Sequence, residues 1–273
     1  MIFMRELKRS RKSLIIWSLV LAGLIIWLLS IFPQFAEGQK SMNDLFEAYP
    51  ESMKQMFGMD RINLGTLIGF YGIEIYMMTT LLGTIYSALL ASNILAKEEN
   101  EKTIEFLLSK PVSRGRIVLE KLLAVVVNIV ILNIVSTISS LIGFQFTKDA
   151  DVPGKTFALL IIATLLLHLT FAAISFMLSS LMRKTRNTLS ASLAIVIVTY
   201  FLNVMSGLSE DLDVLKYFSP FKYVDAANII NENMLEPIFI VLMAAIIIFS
   251  IFTAFMVYRK KTLPFNWSCG AKQ

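Results

Sequence analysis

Charge is scarce in this chain. Asp, Glu, Lys and Arg make up 16% of its 273 residues, against about 25% in a soluble domain. That deficit excludes an ordinary water-soluble domain before any motif is read. Cysteine is nearly absent: Cys269 stands alone, so no disulfide can form within the chain and nothing depends on an oxidising compartment. There is one histidine, His168, too few for a cluster of imidazole ligands or for separate catalytic histidines.

What is present is apolar and continuous. Hydrophobic residues are 56% of the chain. Crossing a hydrocarbon layer ~30 Å thick takes about 20 apolar residues in a helix. Six runs reach that length, at 14–32, 66–95, 122–147, 156–182, 188–208 and 237–258. Membrane β-strands would alternate over about 10 residues, and these runs do not alternate. The first run exceeds the apolar core of a signal peptide, and no small-residue cleavage site follows it promptly. It is read as a retained span.

Lys and Arg set the expected orientation. The arm before span one, the loop after span two, the loop after span four and the tail hold eighteen of the 25 basic residues. The alternate loops hold seven. Both termini and two loops are therefore expected in the cytosol, which requires an even number of spans. Phe3, Met4 and Leu7 share one face of residues 1–12, opposite basic residues. That pattern predicts a short interfacial helix.

The segment after span two is the most informative. A bare connector would be short, polar and rich in turn residues. Residues 97–110 instead read as a helix with Ile104, Leu107 and Leu108 on one face, stopped by Pro111. Its cover would be the inner leaflet, its own bundle or another protein; Glu98, Glu99, Glu101 and Glu105 would be repelled by anionic lipid, which argues against the leaflet and makes a partner protein plausible. Glu98-Glu99-Asn100-Glu101-Lys102-Thr103-Ile104-Glu105-Phe106-Leu107-Leu108-Ser109-Lys110-Pro111-Val112-Ser113-Arg114 resembles the corresponding loop of ABC-2 type transporter permeases. There an acidic patch precedes Gly-Thr, Glu, a Leu-Leu pair, Pro and a Ser/Arg-rich turn. Lys102 departs from that pattern, standing where the family has Gly. Leu215-Lys216-Tyr217-Phe218-Ser219-Pro220-Phe221-Lys222-Tyr223 resembles a Ser-Pro-Phe segment before the last span of many bacterial members.

The resemblance implies a bacterial exporter subunit in the cytoplasmic membrane. It implies an all-α membrane protein forming a single transmembrane domain over 1–273, with the 97–110 helix as a coupling helix. Short, partly re-entrant outer helices would precede span six. The partners implied are a pair of cytosolic ABC ATPase subunits and a second permease chain, with a homodimer favoured over a heterodimer. Membrane lipid surrounds the bundle, and no nucleic acid is expected. ATP and Mg belong on the partner ATPase, with no cofactor on this chain. Glu98, Glu99, Glu101, Thr103, Ile104, Glu105, Leu107, Leu108, Pro111 and Arg114 would make the ATPase contact. The cargo would be a small amphipathic, peptide, drug, ion or lipid-like molecule.

Polar groups within the spans are the remaining candidates. Glu74, His168, Asn128, Asn133 and Asn203 either line a pathway or bond between helices. Glu74 is buried if its span starts near Thr66 and interfacial if it starts near Ile75. Gly65 and Gly69 have the spacing of a close helix contact. Gly154-Lys155-Thr156 looks like the end of a phosphate loop but has Asp149 where the first glycine is needed. Two other functions compete. An ion-driven secondary transporter would carry internal repeats and broken spans, and no repeat is visible. An intramembrane protease could use Glu98-Glu99, but Thr103 stands at its Arg position and His168 is the sole histidine.

Overall fold

The computed structural model describes residues 2–37, 50, 54, 61–97, 113–147, 152–182, 184–207 and 210–260, and its regular structure there is all helical. In chain order the helices are α1 (Ile2–Glu37), α2 (Leu67–Ile94), α3 (Arg114–Phe144), α4 (Gly154–Leu181), α5 (Thr185–Ser206), α6 (Ala226–Glu232) and α7 (Pro237–Lys260). All but α6 are long and apolar enough to cross a bilayer.

The separate interfacial helix expected over residues 1–12 is not what forms. From Ile2 onward these residues are the first turns of α1, which runs unbroken into the first span. No Gly or Pro interrupts the sequence there, so nothing stops the helix. The face turned inward also differs from the expected Phe3-Met4-Leu7 stripe. Ile2 and Glu6 are buried, and Met4 is half exposed.

Helix α4 is the centre of the bundle. Leu160, Ala163, Leu167, Phe171 and Phe176 along it are essentially inaccessible, and α2 and α7 pack on it while α1 packs on α3. Many polar residues of α2, α3 and α4 are small hydroxyls bonded to the carbonyl four residues back. Thr79 reaches Ile75, Ser87 reaches Gly83, Ser140 reaches Ser136 and Thr164 reaches Leu160, at 2.7–2.9 Å. Such residues let backbones approach closely and leave no donor unsatisfied.

Helix α2 starts at Leu67, where the Thr66 side chain accepts a bond from Gly69 N at 3.2 Å. The helix loosens to π geometry at Tyr71–Tyr76. Glu74 therefore lies two turns inside α2, in that π stretch, and is partly exposed. The Gly65/Gly69 pair does not form a helix-helix face. Gly65 precedes the helix, and a Cβ on Gly69 would sit 2.0 Å from the Asn63 carbonyl oxygen.

The chain after α5 turns into the bundle. Two 3-10 stretches, Glu210–Phe218 and Lys222–Val224, flank Ser219, which is fully buried and donates to the Thr199 carbonyl at 2.7 Å. Phe221 packs on Phe171 and Tyr200, with ring centroids 5.1 and 5.5 Å apart. The chain then returns through α6 to Asn233, whose left-handed φ of 52° closes that helix. Thr156 donates to Asn233 Oδ1 at 3.1 Å. Between the Phe171 and Thr156 contacts the segment runs along roughly 22 Å of α4 at 1.5 Å per residue.

An ionic cluster fastens this hairpin-like excursion. Asp225 Oδ2 meets Lys222 Nζ at 2.7 Å and Arg61 Nη2 at 3.1 Å, while its Oδ1 caps α6 at the Ala227 and Asn228 amides. Burial pushes the Asp225 carboxyl up, but Lys222 and Arg61 together outweigh it and hold the group below the usual carboxylate value. A carboxylate with a lowered pKa contributes stability that is complete above its unfolded value, about 3.9. The contribution is lost as pH falls through the lower folded value. Acid unfolding followed below pH ~4 should therefore lose one protonation-linked step in Asp225→Asn.

Gly83 gives a second expectation. A Cβ there would lie 2.2 Å from His168 Cε1, and the imidazole is buried in the core. Alanine gains up to about 1 kcal/mol of helix propensity, but overpacking costs typically 1–3 kcal/mol. Gly83→Ala should lower the thermal midpoint in detergent, and adding His168→Ala should recover part of the loss.

Candidate functional site: the roots of the 98–112 segment

Of the residues expected to contact an ATPase, Arg114 is the one described. It opens α3, and its Nη1 donates to the Arg259 carbonyl in the last turn of α7 at 3.4 Å. Glu98, Glu99, Glu101, Thr103, Ile104, Glu105, Leu107, Leu108 and Pro111 lie outside the described residues. What the structure defines is how the segment's two roots are held.

The root at the end of α2 is Lys97, and the root at the start of α3 runs from Ser113 to Lys121. Both meet Glu6 of α1. Glu6 is 3% exposed and its Oε2 accepts from Lys97 Nζ. Lys121 is fully buried, with Nζ 3.9 Å from Glu6 Oε1 and donating to the Ile94 carbonyl. One turn earlier on α1, the Phe3 amide donates to Glu120 Oε2 at 3.0 Å, and Arg116 Nε holds Glu120 Oε1 at 3.0 Å. One turn later, Ser10 donates to Asn128 Oδ1 at 3.0 Å. Three successive turns of α1 thus bind the end of α2 and the start of α3.

The lone acid among residues 1–36 could have flagged this arrangement. Glu6 stands in a basic stretch, where surface repulsion gives no reason for it. Lys97 and Lys121 each flank an apolar run and read from sequence as orientation signals alone.

The intramembrane candidates separate into two groups. Asn133 and His168 come together: Asn133 Nδ2 lies 3.0 Å from His168 Nδ1 and also donates to the Ile129 carbonyl at 2.8 Å. The amide nitrogen is a donor, so Nδ1 accepts and Nε2 carries the ring proton. Asn128 bonds to the Ala124 carbonyl and to Ser10. Asn203 and Glu74 join neither pair. Asn203 lines a small cavity of ≈ 90 Å³ near Arg61, Tyr76 and Asp225. Among the described residues no three of His, Cys, Asp and Glu converge as metal ligands.

Removing one partner of a buried ion pair costs on the order of 3–5 kcal/mol, because the remaining charge stays in place without its counterion. Glu6→Gln should lower the thermal midpoint of the purified protein far more than Ser10→Ala, which breaks a neutral hydrogen bond worth about 1 kcal/mol.

No curated protein matches the chain at a significant level. The family model for ABC-2 family transporter proteins matches residues 1–263, nearly the whole sequence. Members are multi-pass membrane subunits without an ATPase domain of their own, and they work with separate ATPase subunits. With six helices able to cross the bilayer and a family match over residues 1–263, the chain belongs to the ABC-2 transporter family as its membrane component.

Proposed function

We propose that this chain is the permease half of an ATP-driven exporter, with both termini cytosolic and a partner ATPase docked on residues 97–110. One observation carries the proposal: α1, α2 and α3 are tied together by Glu6, Lys97 and Lys121 at the bundle end from which that segment leaves. A push delivered to the segment would reach three spans at once, because its two roots share one buried carboxylate. The concentration of basic residues in the arm, in the 97–121 loop and after α4 supports a cytosolic assignment for this end.

In this reading two permease chains pair above two ATPases, with a homodimer favoured. Closure of the ATPases around ATP and Mg moves the coupling helix and re-aims α1 to α3 as a unit. At the far end, the segment between Gly207 and Glu236 dips partly into the membrane as short re-entrant helices. Its contacts with Phe171, Thr199 and Thr156 support that geometry. The cargo leaves the cytosol on that side, and its class is a small amphipathic, peptide, drug, ion or lipid-like molecule.

The test is the partner itself. Purified from its native membrane, the chain should bring a soluble ATPase in comparable amount. Glu101→Arg should abolish that association or uncouple ATP hydrolysis from export while leaving the thermal midpoint unchanged. Wild-type association and export in Glu101→Arg would remove the docking role from this segment.

A further inference from the structure

One carboxylate of the spans is met by nothing described. Glu74 is partly exposed, and among the described residues it has no hydrogen bond or ion pair. It lies about 10 Å along α2 from Leu67, at about 1.5 Å per residue, within the π stretch Tyr71–Tyr76. Single π turns inside α-helices recur at functional sites. Ionisable groups at membrane depth are rare, and they pair or mark a ligand's route.

The rest of α2 says where Glu74 stands. Unlike the other five long helices, α2 has no fully exposed residue. Its partly exposed residues all wind along one stripe, from Glu74 through Met78, Leu81, Ile85 and Leu89 to Asn93, at steps of three or four. The stripe is roughly 28 Å long at about 1.5 Å per residue, close to the ~30 Å hydrocarbon thickness. Both of its ends border open volume. Leu89 and Asn93 help to wall a cavity of ≈ 470 Å³ beside the Glu6 cluster, bounded by α1, α2, α3 and α5. Met77, one turn from Glu74, lines the ≈ 90 Å³ cavity at the other end. A recessed apolar stripe therefore connects two cavities and carries a single charge near one end.

Charge and apolarity together select the occupant. Of the cations lining the two cavities, Arg61 and Lys222 are held by Asp225, and Lys97 by Glu6. An anion would be repelled by Glu74, and a neutral amphiphile would leave the carboxylate unmet. A bare metal ion needs several ligands, and among the described residues no such set converges. A cation carried on an apolar body satisfies both features. Its body lies against Met78, Leu81 and Ile85, and its positive group meets Glu74. Methionine side chains adapt to bodies of different shape.

We propose that the α2 stripe binds a cationic amphiphile with its positive group on Glu74. That this ligand is the exported cargo rests on the exporter reading; binding itself needs only this chain. The full chain in nanodiscs of neutral phospholipid is titrated with tetraphenylphosphonium and with tetraphenylborate, ions of nearly equal shape and opposite charge, with protein-free discs as the blank. Tetraphenylphosphonium should bind saturably, and tetraphenylborate should not. Glu74→Gln should weaken the cation on the order of tenfold, the loss of one charge contact, while Glu74→Asp should retain most of the affinity. The thermal midpoint of Glu74→Gln should not fall, because no partner of Glu74 is lost. Equal binding of the two ions, or unchanged cation affinity in Glu74→Gln, would overturn the site. A change of oligomeric state in Glu74→Gln with cation binding intact would make the stripe a contact between copies and would also overturn it. Association with an ATPase is measured separately, so the site and the exporter reading can fail independently.

Discussion

Inside a bilayer no water stands ready to replace a lost hydrogen bond. Each backbone group must be satisfied within its own segment, and each buried side chain must find a partner in the bundle. Many small hydroxyls of the spans meet this by folding back on their own helices, which allows α2, α3 and α4 to pack closely around Leu167, Phe171 and Phe176. In the core His168 is met by Asn133. Glycine makes room for that pair at position 83.

Apart from Glu74, the charged groups of the described spans lie towards the two ends of the bundle, and some of them act there as fasteners. At one end Asp225 ties the returning segment to Arg61 and caps α6. At the other, Glu6 ties the arm of α1 to the roots of the 98–112 segment. These fasteners differ in depth. Lys222 and Arg61 hold Asp225 within reach of solvent, whereas Lys121 and Glu6 are sealed. The sealed cluster is the one that joins separate spans, which suits a place where force enters.

The cavity beside that cluster follows from the same geometry. Anchoring α1 on α2 and α3 through long Lys and Glu side chains leaves open volume where the start of α5 approaches, with Tyr86, Asn93 and Thr185 among the residues around it. A bundle packed with aliphatic residues at this level would have closed the space.

Span number and the family were legible in the chain, because continuous apolar length and the Glu98–Arg114 motif are local properties of sequence. The continuous α1 was misjudged because amphipathic spacing in residues 1–12 describes a stripe and does not say whether lipid or protein covers it. Glu6 with Lys97 and Lys121, Gly83 with His168, and Ser219 with Thr199 were not legible. Each joins residues far apart in the chain, and only the packing angle and rotation of whole helices decides which side chains meet. The sequence determined that helices would cross a hydrophobic layer, by supplying enough apolar residues in a row. The tertiary structure decided which few polar groups would be paired in their midst, because burial energy is blind to direction and hydrogen bonds are not.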